Sequence, residues 1–159
     1  MGKLLLEAPK KSTELLLNQT LRDAMNKKFV LSVLGYFVVT MIVAVVWHLV
    51  LFEEKYQAMG AFTRKEPIMP MGMMAVILQA IIFAYFYPMY YQYKNTHASI
   101  KNGVVFSLIM GVNVWTVMVF ATGAKILIEP IWDFIFLGTI FQLIQYSFVG
   151  ITLGLIHRK

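Results

Sequence analysis

Four apolar runs, at roughly 29–52, 69–93, 102–124 and 131–156, decide what this chain folds into. Each is near or above the ~20 residues that a helix needs to cross a ~30 Å hydrocarbon core. None carries the polar face that a soluble helix of such length turns to water. Backbone amides and carbonyls find no water inside a bilayer, so each run must be helical from end to end. The reading is an all-α membrane protein, a four-transmembrane-helix bundle over 29–159. Composition agrees: 59% of the 159 residues are hydrophobic and 14% charged, against roughly half and a quarter in soluble domains. Mean hydropathy is +0.69. Lipid is the solvent that accepts so much apolar surface.

Orientation follows from the basic residues. Ten of the fourteen Lys and Arg fall on one side: Lys3, Lys10, Lys11, Arg22, Lys27 and Lys28 before the first span, Lys94 and Lys101 between the second and third, and Arg158 and Lys159 at the end. Lys55, Arg64, Lys65 and Lys125 lie on the other side, with five of the eight acids. The asymmetry predicts that both termini lie on the cytoplasmic side of the membrane. The net charge of +6 therefore meets anionic headgroups. No nucleic-acid module occurs in the soluble segments, so nucleic acid is not an expected partner. With no cysteine, disulfides and thiolate ligands are excluded. The first apolar run is too long for the core of a cleavable signal peptide and lacks a small-residue cleavage site after it.

Residues 1–28 form a cytoplasmic N-terminal segment of different character. Ser12 or Thr13 suits a helix cap, and Leu17, Leu21 and Met25 then share one helical stripe. An amphipathic helix on the inner leaflet or on a partner is one reading; a leader without a fixed fold is the other.

The chain also repeats itself. Gly35 precedes Trp47 by twelve residues and Gly103 precedes Trp115 by twelve, with Phe52 and Phe120 each five further on. Leu78-Gln79 matches Phe141-Gln142 in the partner helices. Two tandem parallel hairpins, related by an axis along the membrane normal, would produce this pattern. They would place Trp47 beside Trp115 and Gln79 beside Gln142. Chance matches between apolar helices are the competing explanation.

The run Trp47-His48-Leu49-Val50-Leu51-Phe52, followed by Tyr56 and Met59-Gly60, resembles a family of small bacterial four-helix membrane proteins of unknown function. That family shows Trp-aromatic, Leu-Phe, an aromatic four residues later, and a Met- or Leu-Gly pair. Here His48 replaces the usual aromatic and the spacing is a residue or two shorter. The resemblance implies the four-helix fold and carries no catalytic or binding residue.

Polar side chains at membrane depth are the next pointers, because burying them costs free energy. Gln79, Asn113 and Gln142 fall near mid-depth, as an intramembrane polar cluster or as separate interhelical hydrogen bonds worth ~0.6–2 kcal/mol each. At the outer end, His48, Glu53, Glu54, Met71, Met74 and Asp133 form a candidate metal set. Imidazole and carboxylate suit zinc or Cu(II), and thioethers suit Cu(I). Against it stand the single histidine and the common use of methionine as apolar filler. The sequence itself requires no cofactor.

Trp47, Trp115 and Trp132 at one interface, and Tyr90 and Tyr93 at the other, are placed as headgroup anchors. Pro88 removes a backbone hydrogen bond to Ala84 inside the second span. Gly103, Ser107 and Gly111, and likewise Gly150 and Gly154, run at four-residue spacing and offer close helix packing within the bundle or with another subunit.

No paired histidines, no His-Glu-x-x-His, no serine with a nearby base and no phosphate loop occurs. The expectation is a membrane protein without evident catalytic chemistry. It would serve as an accessory, partner- or lipid-binding subunit of a bacterial membrane complex, in contact with the bilayer and with a protein partner or its own copies. A small transporter or copper- or metal-handling protein is the alternative.

Overall fold

The computed structural model describes residues 26–158 other than 63 and 65. The amphipathic helix expected within 1–28 lies outside the described residues, save that 26–28 open the first span. Four helices are long and apolar enough to cross a membrane: α1 (Asn26–Leu51), α3 (Met69–Tyr93), α4 (Ile100–Ala121) and α5 (Ile131–His157). A six-residue helix, α2 (Glu53–Ala58), follows α1. No strand occurs among the described residues. The protein is an all-α four-helix bundle, and every span ends within three residues of the boundary that hydropathy predicts.

Local chemistry sets the ends. Ser99 caps α4, its hydroxyl accepting from the Asn102 amide at 3.2 Å, which satisfies a donor the first helical turn leaves free. Pro70 occupies the first turn of α3, where no intrahelical N–H is needed. Asp133 lies in the first turn of α5, opposite the positive end of the helix dipole. Helix α3 runs on through Pro88 to Tyr93.

The bundle is organised around α5. Half of its most apolar stretch is buried within the protein, against 17–22% in each of the other spans. The glycine stripes explain the closest approach. A Cβ at Gly103 would collide with the Gly150 carbonyl, and one at Gly154 would lie 2.6 Å from the Ile100 Cα. The stripes of α4 and α5 therefore face each other inside the bundle, backbone against backbone. Further along, the Tyr146 ring covers Gly111. Helix α1 rests on α5 as well, with Gly35 against Thr152 and Ile156. Tyr36, Phe83, Tyr87, Phe106 and Tyr146 fill the core between all four spans, with Phe83 and Tyr146 stacked at 5.5 Å.

One end is tied by His157. Buried among three spans, its Nε2 pairs with the Ser32 hydroxyl at 2.9 Å and its Nδ1 with the Tyr91 hydroxyl at 3.5 Å. Tyr87 meets the imidazole edge-on at 5.2 Å, and Lys28 donates to the His157 carbonyl at 3.2 Å. Thus α1, α3 and α5 converge on one ring.

At the opposite end, α1 and α4 both widen. Val46–Leu51 and Thr116–Ala121 are π-helical, with i→i+5 bonding such as Phe52 N–H to the Trp47 carbonyl at 3.1 Å. In an α-helix, neighbours on one face are three or four apart and positions five apart diverge. A π-turn brings positions five apart together. Accordingly Trp47 packs on Phe52 at 4.5 Å and Trp115 on Phe120 at 4.6 Å. The repeated Trp and Phe at five-residue spacing thus mark equivalent wide turns in α1 and α4. Trp47 and Trp115 join one cluster with Tyr56, Met59, Val119 and Phe134. The amides part ways: Gln79 accepts from Tyr36 at 2.9 Å, while the Gln142 oxygen has no partner among the described residues.

Candidate functional site

The π-turn of α1 determines what Trp47 and His48 do. Adjacent in sequence, both rings reach Phe141 of α5, at 6.1 Å and 4.5 Å. Trp47 is only 8% exposed, and its indole N–H donates to the Tyr56 hydroxyl at 3.2 Å. The tryptophan placed at headgroup level by sequence is instead an internal strut between α1 and α2. Trp115 is likewise turned inward, donating to Thr139 Oγ1 at 2.9 Å. Trp132 and Tyr93, at 76% and 89% exposed, do present their rings at helix ends. Tyr90 packs on Phe106 at 5.4 Å, with the Lys94 ammonium over its ring at 4.8 Å from the centre.

After Tyr56 the chain reverses through Gly60, whose φ of +75° is one that glycine adopts without the Cβ penalty. The turn is pinned to the loop between α4 and α5, where the Glu129 amide donates to the Met59 carbonyl at 3.0 Å. Phe62 then stacks on Tyr56 at 5.2 Å. These residues close a lid over the end of the bundle. Trp47, Phe52, Tyr56 and Met59 all meet in this one cluster and form the lid's packing unit.

Beneath the lid lies a cavity of about 230 Å³. His48 from the α1 π-turn forms one wall, and Met118 and Val119 from the α4 π-turn form another. Tyr56, Phe62, Phe134, Phe141 and Gln142 complete most of the lining, with Gly138 leaving room on α5. Among the described residues, no Lys, Arg, Asp or Glu lines it. The His48 ring sits 4.7 Å from Tyr56 and 5.9 Å from Phe62. Among the described residues, two buried polar atoms on lining residues lack a hydrogen-bond partner: His48 Nδ1 and Gln142 Oε1. Both are sealed from solvent, unlike the large majority of buried polar groups, which are satisfied. Burial pushes the Tyr56 phenol above its ordinary range, and the Trp47 N–H partly offsets this. The lid thus offers a neutral hydroxyl.

Gln142 also lines a second space of about 190 Å³ between α4 and α5, bounded by Gly111, Trp115, Thr139 and Tyr146. Its amide stands between the two.

Of the residues singled out as metal ligands, His48 alone reaches this interior. The Glu53 carboxylate accepts from Gln57 at 3.1 Å, and Glu54 and Asp133 are exposed. Met71 and Met74 project away from the bundle, 71% and 63% exposed. No group of three His, Asp or Glu gathers among the described residues. The wide turn points His48 inward, and the methionines share a helical face directed outward. The expected amide cluster is also dispersed: Gln79 serves α1, Asn113 lies on the exposed side of α4, and Gln142 faces the cavities.

Sequence reasoning missed Tyr36, Tyr146 and His157. The Thr40 and Tyr146 hydroxyls lie beside that of Tyr36, yet neither has a hydrogen-bond partner, nor does Ser107. A hydroxyl inside an apolar run is the signal that was available for these. Comparison with family models, curated proteins and solved structures finds no match to this chain.

Proposed function

We propose that the chain is a non-catalytic membrane protein that takes a small neutral amphiphile from the bilayer into the cavity beneath its lid. In this reading it works as a lipid- and partner-binding accessory subunit of a bacterial cytoplasmic membrane. One observation carries it: residues of two π-turns line an aromatic cavity that, among the described residues, has no Lys, Arg, Asp or Glu in its wall. Single π-turns in helices recur at functional sites, and apolar pockets with a few polar groups are the common form of a binding site. The hydroxyls of Tyr56 and Thr122 bond Trp47 and the Val117 carbonyl and not His48, which favours binding over reaction.

The excess of Lys and Arg on the His157 side supports a cytoplasmic position for that end, which puts the lid on the outer leaflet. Asn113 supports a partner. An amide on the exposed face of α4 gains by pairing with another helix rather than resting against hydrocarbon.

Native mass spectrometry of the protein drawn from its own membrane in mild detergent tests the proposal. Wild type is expected to carry a bound neutral molecule, and Ala61→Trp, which fills the cavity, to lose it. Stoichiometric foreign subunits would support the accessory role. A wild-type protein that arrives bare and alone would overturn both parts.

A further inference from the structure

We infer that the partner at Asn113 is a second copy of this chain, each copy laying the outer half of its α3 along the Asn113 face of the other's α4. The inference rests on the partner surface proposed above and is independent of what the cavity holds.

Helix α3 belongs to the bundle over only part of its length. Residues 69–75 are all exposed, nearly two turns of helix, so the other spans cover no face of that stretch. Burial begins at Ala80 and continues with Phe83, Ala84 and Tyr87. On α4 these inner turns meet Phe106, 5.7 Å from Phe83 and 5.4 Å from Tyr87. Asn113 stands two turns further out on the same stripe of α4. Phe106 is 4% exposed, yet Asn113 is uncovered, because α3 has turned away by that depth. The two helices leave an opening between them on the lid side.

An amide in that opening needs a neighbour. The other amides at membrane depth turn inward: Gln142 and Gln145 are buried, and Gln79 is half-buried and accepts from Tyr36. Hydroxyls near the surface return to their own helix, Thr116 to the Asn113 carbonyl and Ser147 to the Leu143 carbonyl. A carboxamide carries two donors and an acceptor, more than one return bond satisfies. In hydrocarbon the rest are met by another helix.

The chain itself supplies the occupant. A span that fits must lie close over the outer half of α4 and stand apart over the inner half, and α3 diverges from its own bundle in that way. Copies insert in one orientation, so their symmetry axis runs along the membrane normal and brings equal depths together. Counting outward from Phe106 and Tyr87 puts Gln79 level with Asn113. The Gln79 oxygen is engaged by Tyr36, while its nitrogen carries two donors, the complement of the Asn113 oxygen. Neither 69–78 nor 112–121 contains a charged residue, so two copies meet there without like-charge repulsion.

The chain has no cysteine, so single introduced thiols report contacts between copies. Full-length Met74→Cys and isotope-labelled Val117→Cys, at positions 63% and 62% exposed, are mixed in liposomes at limiting density and treated with a membrane-permeant oxidant. Mass spectrometry reads the disulfide-linked product. Mixed-label dimers are expected as the main product. Adding Asn113→Leu to the Val117→Cys chain should lower their yield about three- to thirtyfold, the range for one interhelical bond in a bilayer. Phe136→Cys on α5, 65% exposed, takes the place of Met74→Cys in the control and should give only background. Mixed dimers no more abundant than that control, an excess of Val117→Cys linked to itself, or a yield unchanged by Asn113→Leu would each overturn the exchange of α3. Stoichiometric foreign subunits without a second copy, seen by native mass spectrometry of wild type, would overturn the second copy and leave the accessory role standing.

Discussion

Gly103 and Gly150 bring the backbones of α4 and α5 into direct contact, with no side chain between them. A methyl group at Gly150 would strike the Val104 Cα. Gly150→Ala is therefore expected to destabilise the bundle by ~1–3 kcal/mol, the usual cost of overpacking. Gly72→Ala is the internal control. Nothing lies within 4 Å of a Cβ there, and alanine favours a helix by up to ~1 kcal/mol over glycine. Equilibrium unfolding in mixed micelles separates the two, and equal effects would refute the seam.

Tyr36 and Gln79 form the hydrogen bond that joins α1 to α3 at membrane depth. Tyr36→Phe leaves the Gln79 oxygen without its donor and should cost ~0.6–2 kcal/mol. Adding Gln79→Leu removes the orphan and should recover part of that loss. A double-mutant cycle in the same unfolding assay reads the coupling, and strict additivity would show that the bond contributes nothing.

The Tyr56 phenol gives the lid a pH dependence. Burial raises its ionisation above the ordinary value, about 10 for a free tyrosine. The stabilisation is complete below the unfolded value and is lost as pH rises through the folded one. A 295 nm absorbance titration of wild type minus Tyr56→Phe should show ionisation above pH ~10. Trp47→Phe should push it higher still, because the indole N–H favours the charged form. A downward move on losing Trp47 would contradict the lid geometry.

Asn113 should matter to association and not to folding. It lies on the exposed face of α4, where Thr116 donates to its backbone carbonyl at 2.8 Å. Asn113→Leu is expected to leave the unfolding midpoint unchanged while shifting the protein from its assembled form to a single chain on size-exclusion chromatography. Unchanged assembly would place the partner surface elsewhere.

The fold was legible because bilayer thickness translates directly into run length, and the four runs needed no finer signal. The seam was legible too, since small residues at four-residue spacing have one main use. The site was only half legible. His48 and Gln142 were both singled out, but the cavity they share was not, because ordinary helical spacing sends Trp47 and Phe52 to different faces. The five-residue interval in α1 and α4 was visible as a repeat, yet its cause is a wide turn that no propensity scale signals. Helix α2 was missed because six residues beginning Glu53-Glu54-Lys55 are too few for periodicity to register. His157 was missed because its partners, Ser32 and Tyr91, come from two other spans.

The central place of α5 has a consequence for how the protein is made. It is the last of the four spans to leave the ribosome, yet α4 packs chiefly on it and α1 rests against it. While translation is under way the first three spans enter the membrane without the surface that orders them. Assembly is therefore a late event, triggered when the final span arrives. A chain halted before Ile131 would leave three inserted helices without a common core, the kind of species that membrane quality-control proteases remove.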